Sequence, residues 1–306
     1  MKDSSRPPHF MPEAPTVPAQ IAQTTRPKLP FPPDACDSHV HVFGPQWEYP
    51  HVADPPYIAN DASVADLRRM LDALGCRRTV IVQPSYYGDD NRCTLDATRA
   101  GGGDFRAVVA VGPQATPAQL REMHDAGARG ARMHLKGKDR HAAAADLLRL
   151  ARQVAPLGWH VQIVMRADEM PQLDAELSSL PVEVVIDHIG YVDAADGLDG
   201  QGFRMLLRLA RSGRAWFKLS APYRQNGRPP LFEDVAPLAR ALYEAAPDRC
   251  VWGTDWPHVS RNDTGIIRVP NDGELADALI GWFPDAADRE RILVTNPARL
   301  YGFPAN

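Results

Sequence analysis

Three short stretches of the chain carry imidazole and carboxylate groups in patterns suited to proton chemistry. They are Cys36-Asp37-Ser38-His39-Val40-His41, Ile186-Asp187-His188 and Gly253-Thr254-Asp255-Trp256-Pro257-His258. Each lies at the end of a short run that reads as a β-strand. Side chains two apart on a strand point the same way, so His39 and His41 face one space together. A carboxylate such as Asp255 can take a proton from water while imidazoles donate hydrogen bonds where negative charge develops. A single histidine in such a place is ordinarily a packed residue. His39, His41, His188 and Asp255, at three strand ends of one register, are instead read as a catalytic cluster.

The elements that must hold them alternate regularly. Strands are predicted over Ala35–Val42, Thr79–Gln83, Phe105–Val111, Gly130–Leu135, Trp159–Met165, Val182–Asp187, Ala215–Ser220 and Cys250–Thr254. Helix signals lie between them. Ser63-x-x-Asp66 and Thr116-Pro117-x-Gln119 have the form of capping boxes. Leu147, Leu148, Ala151 and Val154 keep helical spacing before Gly158, and Gly101-Gly102-Gly103 reads as a helix end. Eight strands alternating with helices imply parallel β/α units, and closure into a (β/α)₈ TIM barrel suits the length. An open doubly wound sheet is the competitor, but no G-x-G-x-x-G follows the first strand. In such a barrel the reactive groups collect at the C-terminal strand ends. His160, at the start of its strand, is then structural. His134 shares strand parity with Arg132, which leaves a place in the pocket open to it.

Of 306 residues, 44% are hydrophobic, enough to bury one large core. Residues 34–306 are assigned to the barrel and residues 1–33 to a proline-rich arm or tail. Pro7, Pro8, Pro12, Pro15, Pro18, Pro27, Pro30, Pro32 and Pro33 prevent a helix or central strand there. Docking is expected from about Arg26, with the first part loose and no functional motif. The net charge of −4 and the lack of a Lys/Arg run argue against nucleic acid. No stretch approaches the roughly 20 apolar residues that span a bilayer, and the N-terminus lacks a secretory apolar segment. Cys36, Cys76, Cys93 and Cys250 form no C-x-x-C pair, so reduced thiols and a cytoplasmic location are expected. The oligomeric state is left open.

Asp37-Ser38-His39-Val40-His41-Val42-Phe43-Gly44-Pro45, Val185-Ile186-Asp187-His188 and Val251-Trp252-Gly253-Thr254-Asp255-Trp256-Pro257-His258 resemble the amidohydrolase superfamily. Within it they are similar to the branch of 2-pyrone-4,6-dicarboxylate hydrolase and related lactonases. The likeness runs from about Ala35 to the C-terminus through Val82-Gln83-Pro84-Ser85, Gly158-Trp159-His160-Val161, Trp216-Phe217-Lys218 and Asn296-Pro297-x-Arg299-Leu300-Tyr301. The resemblance implies that Asp255 takes the proton of the attacking water. His39, His41 and His188 would surround the substrate carbonyl. Arg132 and Arg224 would grip substrate carboxylates, and Tyr57 and Ser85 would touch the substrate. His258 follows Asp255 closely enough to bind substrate too. Two departures appear: a second carboxylate-binding arginine aligns with Lys138, and a strand-five tyrosine with Val164. A lysine keeps the charge but loses two-pronged geometry, which weakens the match to the pyrone dicarboxylate itself.

The expected activity is hydrolysis of a small carboxylated lactone in the catabolism of aromatic or sugar acids. A lactone is an activated ester that water and a base can open. Relatives in the superfamily also bind divalent ions, and His39, His41 and Asp255 would form such a site for zinc or manganese, with His188 or water as the fourth ligand. Strand five ends Val164-Met165-Arg166 without the histidine such sites use, so a mechanism needing no cofactor is preferred. The alternatives are a lactone isomerase, a metal-dependent decarboxylase, or a sugar-acid binder without turnover; the base facing the imidazoles argues against the last.

Overall fold

The computed structural model describes residues 14–259 and 269–304. All eight expected strands form: β1 (Cys36–Val40), β2 (Arg78–Val82), β3 (Phe105–Val109), β4 (Ala128–His134), β5 (His160–Val164), β6 (Val184–Ile186), β7 (Ala215–Ser220) and β8 (Cys250–Gly253). They are parallel and follow chain order in one sheet. The barrel closes between β1 and β8, where Asp255 N–H donates to the His39 carbonyl (2.8 Å) and His41 N–H to that of Trp256 (2.7 Å). The seam is therefore made by the residues that carry the candidate chemistry. Strands such as β2, β5 and β6 are buried along their whole length, as parallel strands covered by helices must be.

The local signals act as expected. Ser63 and Asp66 form a reciprocal capping box on the helix Val64–Leu74, which turns Leu67, Met70, Leu71 and Leu74 inward. Thr116 and Gln119 do the same for Pro117–Asp125. The three glycines follow the helix Arg92–Ala100. At the N-terminal foot, the buried Tyr301 ring lies edge-on to His160 (5.5 Å), and Arg78 and Arg106 stand over Phe303. That is the structural role expected for His160. The four cysteines are buried free thiols. Among the described residues, no helix is long and apolar enough to cross a membrane.

The arm departs from expectation. Docking does not wait for Arg26: Thr16 bridges Ile58, and Val17 is buried, its N–H bonded to the Ile58 carbonyl (2.9 Å). An apolar side chain with a paired backbone is enough to fix this proline-rich segment. Residues 1–13, expected to be loose, lie outside the described residues.

Candidate active site

The four groups of the cluster converge. Asp255 Oδ1 lies 3.6, 3.4 and 3.7 Å from Nε2 of His39, His41 and His188. All four side chains are buried, and Asp255 Oδ1, His39 Nε2 and His188 Nε2 have no hydrogen-bond partner. Asp255 Oδ2, in contrast, accepts from Tyr223 (2.6 Å) and from Arg224 Nε and Nη2 (3.0 and 2.7 Å). Burial alone would raise this carboxyl, but the Arg224 guanidinium and the facing imidazoles hold it well below the ordinary range. Burial keeps the histidines neutral: His39 and His41 are lowered and His188 is pushed down to about 3.

The backbone that places these groups is specific. The Asp37 carboxylate accepts from His39 N–H and from both N–H and hydroxyl of Thr254, tying β1 to the end of β8. Gly253 is needed because a Cβ there would stand 2.6 Å from His39 N. Asp255 has φ +70°, and His188, Ile189, Gly190 and Tyr191 form a run with φ of +50°, +48°, +60° and +53°. Such conformations cost about 1–3 kcal/mol each for side chains other than glycine and collect at functional sites. The run is held by Gly190, whose N–H reaches the Asp187 carbonyl (2.9 Å) and whose carbonyl accepts from Ala167 N–H (2.7 Å).

Behind the cluster lies a second set of buried polar groups. His41 Nδ1–H donates to the Val82 carbonyl (2.7 Å), leaving Nε2 as an acceptor in the neutral ring. His188 Nδ1 meets Ser220 Oγ (2.8 Å). The fully buried Lys218 ammonium donates to the Ser38 carbonyl (2.9 Å) and lies 3.2 Å from His39 Nδ1. A protonated lysine can only donate, which favours the His39 proton on Nε2, facing Asp255, whereas Asp187 Oδ1 at the same Nδ1 favours the proton there. Burial lowers Lys218 to about 8. Asp187 accepts from Arg132 Nε and Gln162 (both 3.1 Å), and stands 3.4 Å from His39 Nδ1. Although burial would raise it, His39, Arg132 and Lys218 hold its carboxyl well below the ordinary range. Sequence reasoning did not single out Asp187, Lys218, Gln162 or Tyr223. A signal existed for two of them: Asp187 directly precedes His188, and Lys218 is a charge inside an otherwise buried strand.

The expected substrate-contacting residues divide. Arg132 and Arg224 flank the cluster through their carboxylate partners. Buried Tyr57 is hydrogen-bonded to Ser85 and feels both arginines, and burial raises its hydroxyl pKa. His134, the last residue of β4, has exposed surface, and the charges of Arg132, Asp187, His41 and Arg224 reach it, which puts it at the mouth beside Arg132. Two expectations need correction. Lys138 is 42% exposed and pairs with Asp146 (3.0 Å), because the chain turns after Leu135 and sets it against the following helix, Arg140–Val154. The lysine nearer the mouth is Lys136, whose Nζ stands 5.8 Å from the Tyr191 ring, as does the Arg224 guanidinium carbon. His258 does not present a free edge to a ligand: Nδ1 meets Tyr223 (3.1 Å) and Nε2 meets Asp272 (3.0 Å).

His39, His188 and Asp255 offer three donor atoms within 4.8 Å of one another, a set that could hold a divalent ion. His41 Nε2 faces the same carboxylate oxygen. The Lys218 ammonium at His39 Nδ1 opposes this use by favouring a proton on Nε2, while the Asp187 carboxylate at the same nitrogen supports it by favouring a free Nε2 lone pair.

Comparison with known proteins places this geometry in a family. The amidohydrolase family model matches residues 36–303. The chain is 38% identical to 2-pyrone-4,6-dicarboxylate hydrolase of Comamonas testosteroni, over 92% of this chain and 94% of that protein. It is likewise 38% identical to 4-sulfomuconolactone hydrolase of Hydrogenophaga intermedia (89% and 90% covered) and 31% identical to D-galactarolactone isomerase of Agrobacterium fabrum (90% and 94%). An apo crystal structure from Agrobacterium tumefaciens superposes with a TM-score of 0.76 at 28% identity, covering 92% of this chain and 100% of that one. With a match that spans the whole barrel and relatives aligned over nine-tenths of its length, the protein belongs to the amidohydrolase family.

Proposed function

We propose that the protein hydrolyses a small anionic lactone, with Asp255 as general base and no metal. The observation that carries the reading is Asp255 Oδ1, unpartnered, ringed by three imidazole Nε2 atoms, with Arg132 and Arg224 beside it. The relatives named above are named for lactones, two of them for hydrolysis. Oδ1 takes a proton from water as the water oxygen bonds to the lactone carbonyl carbon. His41 Nε2, an acceptor, orients that water, and His39 Nε2–H donates to the oxyanion. Collapse breaks the ring C–O bond, and the proton held by Asp255 goes to the leaving oxygen, giving an open-chain acid. An oxyanion donor of this kind contributes about 3–4 kcal/mol in hydrolases. The arginine N–H groups not engaged by Asp187, Asp255 or the Gln83 carbonyl are available to a substrate carboxylate, together with Tyr57 and Ser85. The four buried thiols suit a reducing, cytoplasmic setting, and the relatives' substrates suggest catabolism of aromatic or sugar acids.

An isomerase is the second reading, favoured by the D-galactarolactone relative: a substrate hydroxyl would replace water in the same pocket. One experiment separates the readings. Acid release is measured with 2-pyrone-4,6-dicarboxylate, 4-sulfomuconolactone and D-galactarolactone, with an uncharged ester of the best of them, and after exhaustive chelation. The expected result is opening of an acidic lactone, loss of activity on its ester, and no effect of chelation. A preferred ester or no opening of any lactone removes the anionic-lactone reading. A new lactone without acid release shows the isomerase. Activity lost on chelation and restored by zinc or manganese makes His39, His41 and Asp255 ligands.

A further inference from the structure

A row of polar contacts joins the N-terminal arm to Asp255. Thr24 Oγ1 donates to Asp272 Oδ2 (3.3 Å), and Asp272 Oδ1 faces His258 Nε2 (3.0 Å). His258 Nδ1 meets the Tyr223 hydroxyl (3.1 Å), which donates to Asp255 Oδ2 (2.6 Å). Asp272, His258 and Tyr223 are all buried. A carboxylate only accepts, so Asp272 fixes a proton on His258 Nε2 and with it the orientation of the ring; Nδ1 is then an acceptor facing the Tyr223 oxygen, whose single proton lies between it and Asp255 Oδ2. The ring stands edge-on to Tyr223, with centroids 5.7 Å apart.

The arm end of the chain is built as firmly. Asp272 opens the helix Asp272–Trp282, whose cap is Asn271. Asn271 Oδ1 accepts from Gly273 N–H (3.0 Å), from Thr25 N–H and from Thr25 Oγ1 (both 2.9 Å), and its amide donates to the Gln23 carbonyl (3.1 Å). Position 273 must be glycine here, because a Cβ would collide with the Thr25 carbonyl oxygen. Nearby, Phe31 packs edge-on to Trp252 of β8 at 5.3 Å.

We infer that the arm, through Thr24, Asp272, His258 and Tyr223, positions the carboxylate of Asp255. The inference rests on the reading of Asp255 as the base. With Tyr223 and Arg224 saturating Oδ2, Oδ1 is the oxygen left toward the histidines. Asp272, His258 and Tyr223 are positioning residues, and the proline-rich segment is part of the catalytic apparatus rather than a passive tail.

The test uses the full chain with Thr24→Val, Asp272→Ala, Asp272→Asn and Tyr223→Phe, measured on 2-pyrone-4,6-dicarboxylate or whichever acidic lactone the parent opens fastest. Asp272→Ala and Thr24→Val should lower kcat about 3- to 10-fold, the scale of one hydrogen bond, with KM changed less than about twofold. Asp272→Asn, whose amide oxygen still accepts from Nε2–H, should restore most of the loss. A readout independent of turnover is the NMR resonance of the hydrogen-bonded Tyr223 hydroxyl proton, assigned by its disappearance in Tyr223→Phe. It should shift in Thr24→Val and Asp272→Ala. An unmoved resonance overturns the inference even if no lactone is a substrate. So do parental kcat values in both variants, or an Asn variant no better than Ala.

Discussion

The two ends of this barrel use the same residue types to opposite effect. At the foot, three arginines are taken up by backbone: Arg106 donates to the carbonyls of Gly103, Phe105, Tyr301 and Gly302, Arg78 to Pro304, and Arg129 to His124 and Ala128. At the mouth, Arg132 and Arg224 face carboxylates, and those carboxylates keep one oxygen each without a hydrogen bond. Among the described residues, unpartnered atoms also occur on His160, Arg78 and Tyr301 at the foot and on Glu176 of a covering helix, but the mouth is where two such carboxylates face imidazoles. Left-handed backbone gathers at the mouth as well, at Asp255 and through His188–Tyr191. Where polar groups are fully answered by the chain they stabilise it. Where they are left partly answered, with strain, they are set for a ligand.

The contrast breaks most sharply at Asp255. Asp255→Asn should keep the fold and substrate binding while kcat falls by about three orders of magnitude or more, because an amide cannot take the water's proton. Steady-state kinetics with a melting curve checks this, and near-parental turnover would remove Asp255 from the mechanism.

A smaller effect is expected at Lys218. Its pKa is lowered to about 8, so the ammonium is present below that pH and lost above it. If the ammonium fixes the His39 tautomer, kcat/KM should fall as pH rises through about 8, on one ionisation. Lys218→Met should lower activity at neutral pH roughly 10- to 100-fold, the range of a misplaced catalytic group, and abolish that alkaline limb. A variant that keeps the limb shows that another group titrates.

The smallest catalytic effect belongs to the foot. Arg106→Met should lower the melting temperature by several degrees, a change of about 1–3 kcal/mol, while kcat and KM of the folded protein stay within about twofold. A kcat loss comparable to that of Lys218→Met would erase the distinction between the two ends.

Much of this was legible beforehand because it depends on local patterns. All eight strands, the two capping boxes and the glycine stop after Ala100 follow from spacing and backbone preference, which act within a few residues. His39, His41, His188 and Asp255 could be grouped because strand ends in a parallel barrel share one face. What a side chain bonds to across the barrel is set by neighbours 14 to 179 residues away. Arg224 on the Asp255 carboxylate, Lys218 behind His39, and His258 turned toward Asp272 are pairings of that kind. Lys138 shows the same limit from the other side: alignment gave it a charge in the right place along the chain, and the turn after Leu135 carried that charge to Asp146. The sequence by itself determined the barrel and the residues that meet at its mouth, since periodicity is a local property. Only the tertiary structure decided which oxygen of Asp255 is left open and that the proline-rich arm reaches the site, since buried polar groups take whatever partners the closed barrel brings within 3 Å.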